Sequence, residues 1–242
     1  MSIKQPVFVA SCVFTREYPE LGKKVFNYVA KRFSMPVMRC CVANYKTKEF
    51  EDAMPQWLRP EWSKLPAYID ISHDNTMVYI CHNCSAIFQE QRPEIPILSF
   101  WELVLLDEGF KFADYSKEKI TVQDCWRSRD NQKEQDAVRT LLKKMNFEIV
   151  ELEESRENTE FCGISLYSPA PERNLKLAPR RFVENAVGKF VPHSADEQKE
   201  LMESHCAKIT TDKVVTYCHY CTKGIQVGGK TSLHLAELIM PS

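Results

Sequence analysis

The sequence predicts an α/β protein made of two βαβ-based lobes with parallel sheets, related by a pseudo-twofold internal duplication, with cysteines at the carboxyl ends of the strands. Three observations carry this reading. Apolar, β-branched runs alternate with helical patterns, and strand–helix alternation implies crossover connections and parallel pairing. The same order of runs occurs in each half of the chain. Nine of the ten cysteines fall at matching places in the two halves.

In the first half, Pro6–Ser11 runs into Cys12, Met35–Arg39 into Cys40-Cys41, and Thr76–Ile80 into Cys81. Between the first two runs, Leu21–Phe33 sets Val25, Tyr28, Val29 and Phe33 on one face at the helical period. In the second half, Lys119–Asp124 runs into Cys125, Phe147–Leu152 is followed by an acidic loop and Cys162, and Lys213–Tyr217 runs into Cys218. Gln135–Met145 sets Val138, Leu141, Leu142 and Met145 on one helical face. A further helix over Ser194–Lys208 opens with Ser194 and Glu197 at capping-box spacing. Each Cys-x-x-Cys is followed by an apolar segment with a shared Glu-Leu, Ser99–Leu103 and Leu233–Leu238. The polar stretch Gly109–Lys117 divides a first lobe, 1–112, from a second, 113–242.

Composition narrows the function. Lys plus Arg number 32 and Asp plus Glu 33, a net charge of −1, which argues against a dedicated nucleic-acid binder. No apolar run reaches the roughly 18 residues of a membrane span. The first residues lack the apolar core of a signal peptide, so the expectation is a soluble, cytoplasmic protein. The seven glycines cannot form a GxGxxG fingerprint. Ten cysteines in a reducing compartment read as metal ligands or catalytic thiols rather than disulfides.

The cysteines specify the chemistry. Ligands of parallel α/β sheets bind beyond the carboxyl ends of the strands, and a following helix directs its N-terminal N–H groups at sulfurs placed there. Thiolates select soft metals, either zinc or iron–sulfur clusters. The first lobe offers five, Cys12, Cys40, Cys41, Cys81 and Cys84, one more than a tetrahedral zinc ion uses. The second offers four, Cys125, Cys162, Cys218 and Cys221, which suit a [4Fe–4S] cluster or zinc by count.

Taken together, Cys12, Cys40-Cys41, Cys81-His-Asn-Cys84, Asp124-Cys125 with Arg129, Phe161-Cys162-Gly163 and Cys218-His-Tyr-Cys221 resemble the duplicated cysteine-rich CCG domain. Its members include the cysteine-rich subunit of heterodisulfide reductase and those of related oxidoreductases. The resemblance spans nearly the whole chain. It implies a noncubane [4Fe–4S] cluster on the five first-lobe cysteines, serving disulfide or thiol reduction or electron transfer, with Cys41, Cys81 and His82 as candidate catalytic residues. It also implies a disulfide or other sulfur substrate and an electron-donating partner, ferredoxin-like or flavoprotein. The chain has no ferredoxin-type cysteine run of its own. Two positions depart from the pattern. Val42 stands where the family has glycine. Phe161 stands where it has the first cysteine of the second pair, leaving a second [4Fe–4S] cluster, zinc or no metal on the remaining four. The alternative from another class is a non-enzymatic scaffold or interaction subunit stabilised by zinc thiolates.

Other features have structural and functional readings. His82 and His219, inside the two Cys-x-x-Cys segments, suit hydrogen bonding to sulfur or proton relay, or are partly exposed loop histidines. Asp124 and Arg127 flank Cys125 as supporting groups or as an ion pair. Cys206 is a core or surface thiol, or a substitute for the cysteine missing at 161. Gly224–Thr231 matches the phosphate-loop pattern literally, but the context favours a turn. Met54–Pro66, with Trp57 and Trp62, is a packed insertion or a lid. Arg173, Lys176, Arg180 and Arg181 form a solvated basic face or a surface for an acidic partner.

Overall fold

The computed structural model describes residues 4–240. The chain divides into two compact units, the first ending at Leu103 and the second beginning at Val104. The first unit contains β1 (Pro6–Val9), α1 (Cys12–Glu17), α2 (Pro19–Arg32), β2 (Val37–Met38), α3 (Thr47–Asp52), α4 (Arg59–Trp62), β3 (Thr76–Tyr79), α5 (His82–Gln91) and β4 (Ile97–Ser99), followed by α6 (Phe100–Leu105). The second contains β5 (Lys119–Gln123), α7 (Gln132–Lys144), β6 (Glu148–Val150), α8 (Glu172–Leu177), α9 (Pro179–Phe182), α10 (Ala195–Cys206), β7 (Lys213–Thr216), α11 (His219–Val227), β8 (Thr231–His234) and α12 (Leu235–Ile239).

Both sheets are wholly parallel. Their orders, β2-β1-β3-β4 and β6-β5-β7-β8, are the same when each unit's strands are counted from its own start. The expected α/β architecture of two parallel-sheet lobes is therefore present, and strand order repeats as the order of the cysteines does. The strands are short and mostly buried, as expected for parallel sheets covered by helices. All four residues of β3 are buried. On α7, Val138, Leu141, Leu142 and Met145 are all buried as the periodicity predicts. On α2, Val25 and Val29 are buried, but Phe26 takes the place expected for Tyr28 and Phe33, which are half-buried.

The fourth strand of each sheet was hidden in the sequence. β4 and β8 are short and run directly into helices, so they read as the start of one apolar segment. The repeated glutamate marks the junction. Glu102 accepts hydrogen bonds from the Ser99 backbone N–H, 2.9 Å, and hydroxyl, 2.7 Å, while the Ser99 hydroxyl oxygen accepts from the Glu102 N–H. In the second unit Glu237 accepts from the His234 N–H at 2.6 Å, and His234 Nδ1 accepts from the Ala236 N–H. These capping pairs end the strand and start the helix. Ser194 and Glu197 form the expected capping box on α10.

Met54–Pro66 is a packed insertion: Met54, Leu58 and Trp62 are buried, Trp62 lies against Phe26, and Trp57 stays half-exposed beneath Lys23. No helix among the described residues is long and apolar enough to cross a membrane.

The second unit is braced at the end of β5. The Asp124 carboxylate accepts two hydrogen bonds from Arg139, 3.0 and 2.7 Å, one from the Tyr217 hydroxyl, 2.7 Å, and one from the Arg156 N–H, 2.7 Å. Arg139 also donates to Glu151. The partner of Asp124 is thus Arg139, carried by α7, and not the neighbouring Arg127. Nearby, Phe161 stacks on His205 with ring centroids 4.1 Å apart, and His205 Nε2 donates to the Gln123 side-chain oxygen at 2.6 Å.

These contacts set the expected stabilities. Asp124→Asn keeps the volume but leaves Arg139 without its buried anion, so chemical denaturation should show a loss of about 3 kcal/mol. Glu151→Gln, at a half-exposed carboxylate, should cost clearly less. His205 has its pKa held down to about 4, first by burial and then by Lys208, with Glu154 opposing. The unfolded chain takes up this proton near 6.5, so the contribution is complete above that pH and drains away as pH falls toward 4. In unfolding curves across that window, His205→Gln should lose less stability than the wild type.

Candidate metal centre

Strand ends deliver three of the four second-unit sulfurs. β5 is followed by Asp124 and then Cys125, which caps a short 3₁₀ turn over Trp126–Ser128. β7 is followed by Tyr217 and then Cys218, the N-cap of α11, with Cys221 in the first turn of that helix. Because Gln123 pairs with Thr216, both strands release their cysteines two residues later at the same level of the sheet. Cys162 comes from the loop beyond β6, immediately before a 3₁₀ turn at Gly163–Tyr167.

Two glycines bring that loop into place. Gly163 has φ +58°, and a Cβ there would sit 2.0 Å from the Tyr220 carbonyl oxygen. A Cβ on Gly224 would sit 2.4 Å from the Gly163 Cα. Backbone therefore lies on backbone where the Cys162 loop crosses α11, an approach only glycine permits. The Sγ atoms of Cys125, Cys162, Cys218 and Cys221 consequently lie within 4.8 Å of one another, and all four residues are buried. The Cys125 and Cys162 sulfurs are 3.3 Å apart.

The surroundings are largely apolar, with one buried cation against the sulfurs. Trp126, Phe161, Leu166, Met202 and Ile225 pack around the sulfurs. Arg127, also buried, donates from Nη1 to Cys162 Sγ and to Ser165 Oγ. Burial, reinforced by the neighbouring thiols, pushes the Cys125 and Cys221 thiols well above their ordinary pKa. Burial acts on Cys162 in the same direction, but hydrogen bonds from Cys125 and Cys221 and the charge of Arg127 outweigh it, and its pKa is lowered. Burial disfavours the Arg127 charge, yet the sulfurs of Cys162, Cys218 and Cys125 raise its pKa overall. The group is thus a set of soft donors that a divalent cation can deprotonate, with the Cys162 thiol the one eased toward its anion.

In the first unit, Cys12 is the first residue of α1, after a buried Ser11 whose φ is 64° and whose hydroxyl oxygen accepts from the Phe14 N–H. Cys40 and Cys41 follow β2, Cys81 is the N-cap of α5, and Cys84 lies in its first turn. All five are buried free thiols. Contacts with the Cys41 and Cys81 thiols, and then burial, raise the Cys84 pKa well above its ordinary value, which makes Cys41 and Cys81 neighbours of Cys84. Among the described residues, the group of sulfurs close enough together to hold one metal ion is that of the second unit.

His82 and His219 are both buried, so neither is a partly exposed loop histidine. His219 lies against the Tyr220 ring, 4.0 Å between centroids. Cys206 is a buried core thiol outside the four-sulfur group, with its sulfur toward the Ile225 carbonyl at 3.7 Å, and Phe161 fills the position of the missing cysteine with a ring. Gly224 is inside α11 and Thr231 begins β8, so Gly224–Thr231 is a helix end and a turn. Arg181 is buried and paired with Asp130, and Lys176 pairs with Glu172 along its helix, so the basic cluster is engaged in local contacts. The aromatic wall around Arg127 left no signal in the sequence, because Phe182, Phe190 and Tyr220 are brought to it only by folding.

No protein-family model matches the chain, and no curated protein matches it. Among solved structures, it is similar to an aspartate racemase homologue from Pyrococcus horikoshii OT3 at 14% identity and a TM-score of 0.31, covering 98% of this chain and 96% of that one. It is also similar to a glutamate racemase isoform from Bacillus anthracis at 11% identity and a TM-score of 0.35, covering 97% of this chain and 77% of that one. Both are named as racemases, and neither is named as an iron–sulfur oxidoreductase, the class that the sequence reading expected.

Proposed function

We propose that this chain is a metal–thiolate protein whose second unit encloses a single tetrahedral ion, zinc, on Cys125, Cys162, Cys218 and Cys221. The observation that carries the reading is the convergence of four buried sulfurs within 4.8 Å of one another. Zinc–sulfur bonds of about 2.3 Å give a tetrahedron with sulfur–sulfur edges of about 3.8 Å, a size close to the spacing of this group. A cubane cluster holds its cysteine sulfurs further apart, because iron and inorganic sulfide lie between them. When bound, the ion would supply a crosslink between the ends of β5 and β7, the Cys162 loop and the first turn of α11.

For the first unit the reading is a second soft-metal site on Cys12, Cys40, Cys41, Cys81 and Cys84. A fifth thiolate exceeds the needs of one tetrahedral ion and suits a noncubane [4Fe–4S] cluster. The grouping of Cys41, Cys81 and Cys84 supports it.

Anaerobic purification followed by zinc, iron and acid-labile sulfide analysis tests both assignments. One zinc per chain, lost when Cys218→Ser and Cys221→Ser are combined, is the expected result for the second unit. Acid-labile sulfide that disappears with the same pair of substitutions would replace zinc by a cluster there, and absence of any metal would end the reading. A second expectation concerns folding. Because metal binding stabilises the folded state, adding a strong chelator should lower the thermal midpoint of the wild type. It should leave that of the Cys218→Ser, Cys221→Ser double variant nearly unmoved.

A further inference from the structure

We propose that Arg127 is a positioning residue for the four-thiolate centre, serving as its buried counter-ion and hydrogen-bonding one selected sulfur, Cys162. The proposal rests on the reading that these four cysteines hold a divalent soft ion. Arg127 is only 3% exposed. One guanidinium nitrogen donates to Cys162 Sγ and, at 3.0 Å, to Ser165 Oγ. The guanidinium carbon lies 4.7 Å from the centroid of the Tyr220 ring and 5.6 Å from those of Phe182 and Phe190. Its Nε is buried without a hydrogen-bond partner. Among the described residues, no carboxylate forms an ion pair with it.

A guanidinium does not give up its proton in a protein, and a buried charge with no counter-charge is costly. The anions available to Arg127 are the sulfurs. The need is mutual: four thiolates on a divalent ion leave a net double negative charge inside a wall of Trp126, Phe161, Leu166 and Ile225. One buried cation halves that excess. The hydrogen bond also distinguishes Cys162 from the other three ligands, drawing electron density from its sulfur and fixing its direction. Cys162 is also the ligand that comes from a loop, and the one that most needs an orienting partner.

The test uses the full chain loaded with cobalt(II) in place of zinc, as wild type, Arg127→Gln and Arg127→Lys. In competition with a chelator, Arg127→Gln should hold cobalt roughly tenfold or more weakly, the usual scale for losing a group that supports a metal ligand. Its sulfur-to-cobalt charge-transfer absorption should move to lower energy. Iodoacetamide should alkylate Cys162 faster relative to Cys125, Cys218 and Cys221. Arg127→Lys, a point charge without the planar fork, should recover part of the affinity. A merely structural arginine would change the thermal midpoint while leaving the absorption energy and the order of alkylation as in the wild type, and that result overturns the proposal. If Arg127→Gln does not fold, Arg127→Lys decides by the same two readouts, and an unshifted band with unchanged alkylation order again overturns it. Should the wild type itself show no thiolate–cobalt band, the metal reading fails, and this inference with it.

Discussion

The parallel register of β5 against β7 is the constraint on which the second unit's site depends. Gln123 lies opposite Thr216, so the chain leaves both strands at one level, with Asp124 beside Tyr217 and Cys125 beside Cys218. Side chains alternate along a strand, so a slip of one residue would turn these groups to the opposite face. The Asp124–Tyr217 hydrogen bond holds the register from below, and Arg139 ties the same carboxylate to the loop beyond β6 through Glu151. The structure therefore fixes two sulfurs by backbone pairing before any metal is considered.

The other two sulfurs depend on helix geometry and on close approach of backbone. Cys221 follows Cys218 through one turn of α11, a spacing set by the helix. Cys162 arrives on a loop, and its place depends on Gly163 resting against Gly224 and the Tyr220 carbonyl. The same glycine at 163 takes a left-handed conformation that a larger residue would adopt only under strain. Thus the Cys-Gly pair is one device: the glycine permits the crossing that positions the cysteine beside it.

Burial then determines the chemistry. Packed among aromatic and aliphatic side chains, the Cys125 and Cys221 thiols resist ionisation, and their pKa values are raised. At Cys162 the hydrogen bonds from Cys125 and Cys221, joined by the charge of Arg127, outweigh burial. A site of this kind gains from a cation that can take the place of several protons at once. The two units share strand order yet differ at this level. The first supplies a cysteine pair after β2, whereas the second places Phe161 in the core, stacked on His205, where the corresponding cysteine would stand.

The sequence alone determined the parallel α/β architecture, the repeat, six of the eight strands, and the four second-unit cysteines that the fold brings together. These features follow from local periodicity and spacing, which survive in one dimension. It also marked the glutamates of the two strand-to-helix junctions, though their capping role became visible only with hydrogen-bond partners assigned. Tertiary structure decided the rest. Which carboxylate pairs with which arginine depended on α7 delivering Arg139, rather than Arg127, to Asp124. The aromatic enclosure of Arg127 joins residues from three separate segments, Phe182, Phe190 and Tyr220. The exclusion of Cys206 from the four-sulfur group follows from the face that α10 turns toward Gly228 and Ile225. Such pairings are set by distances between segments far apart in the chain, and no local pattern encodes them.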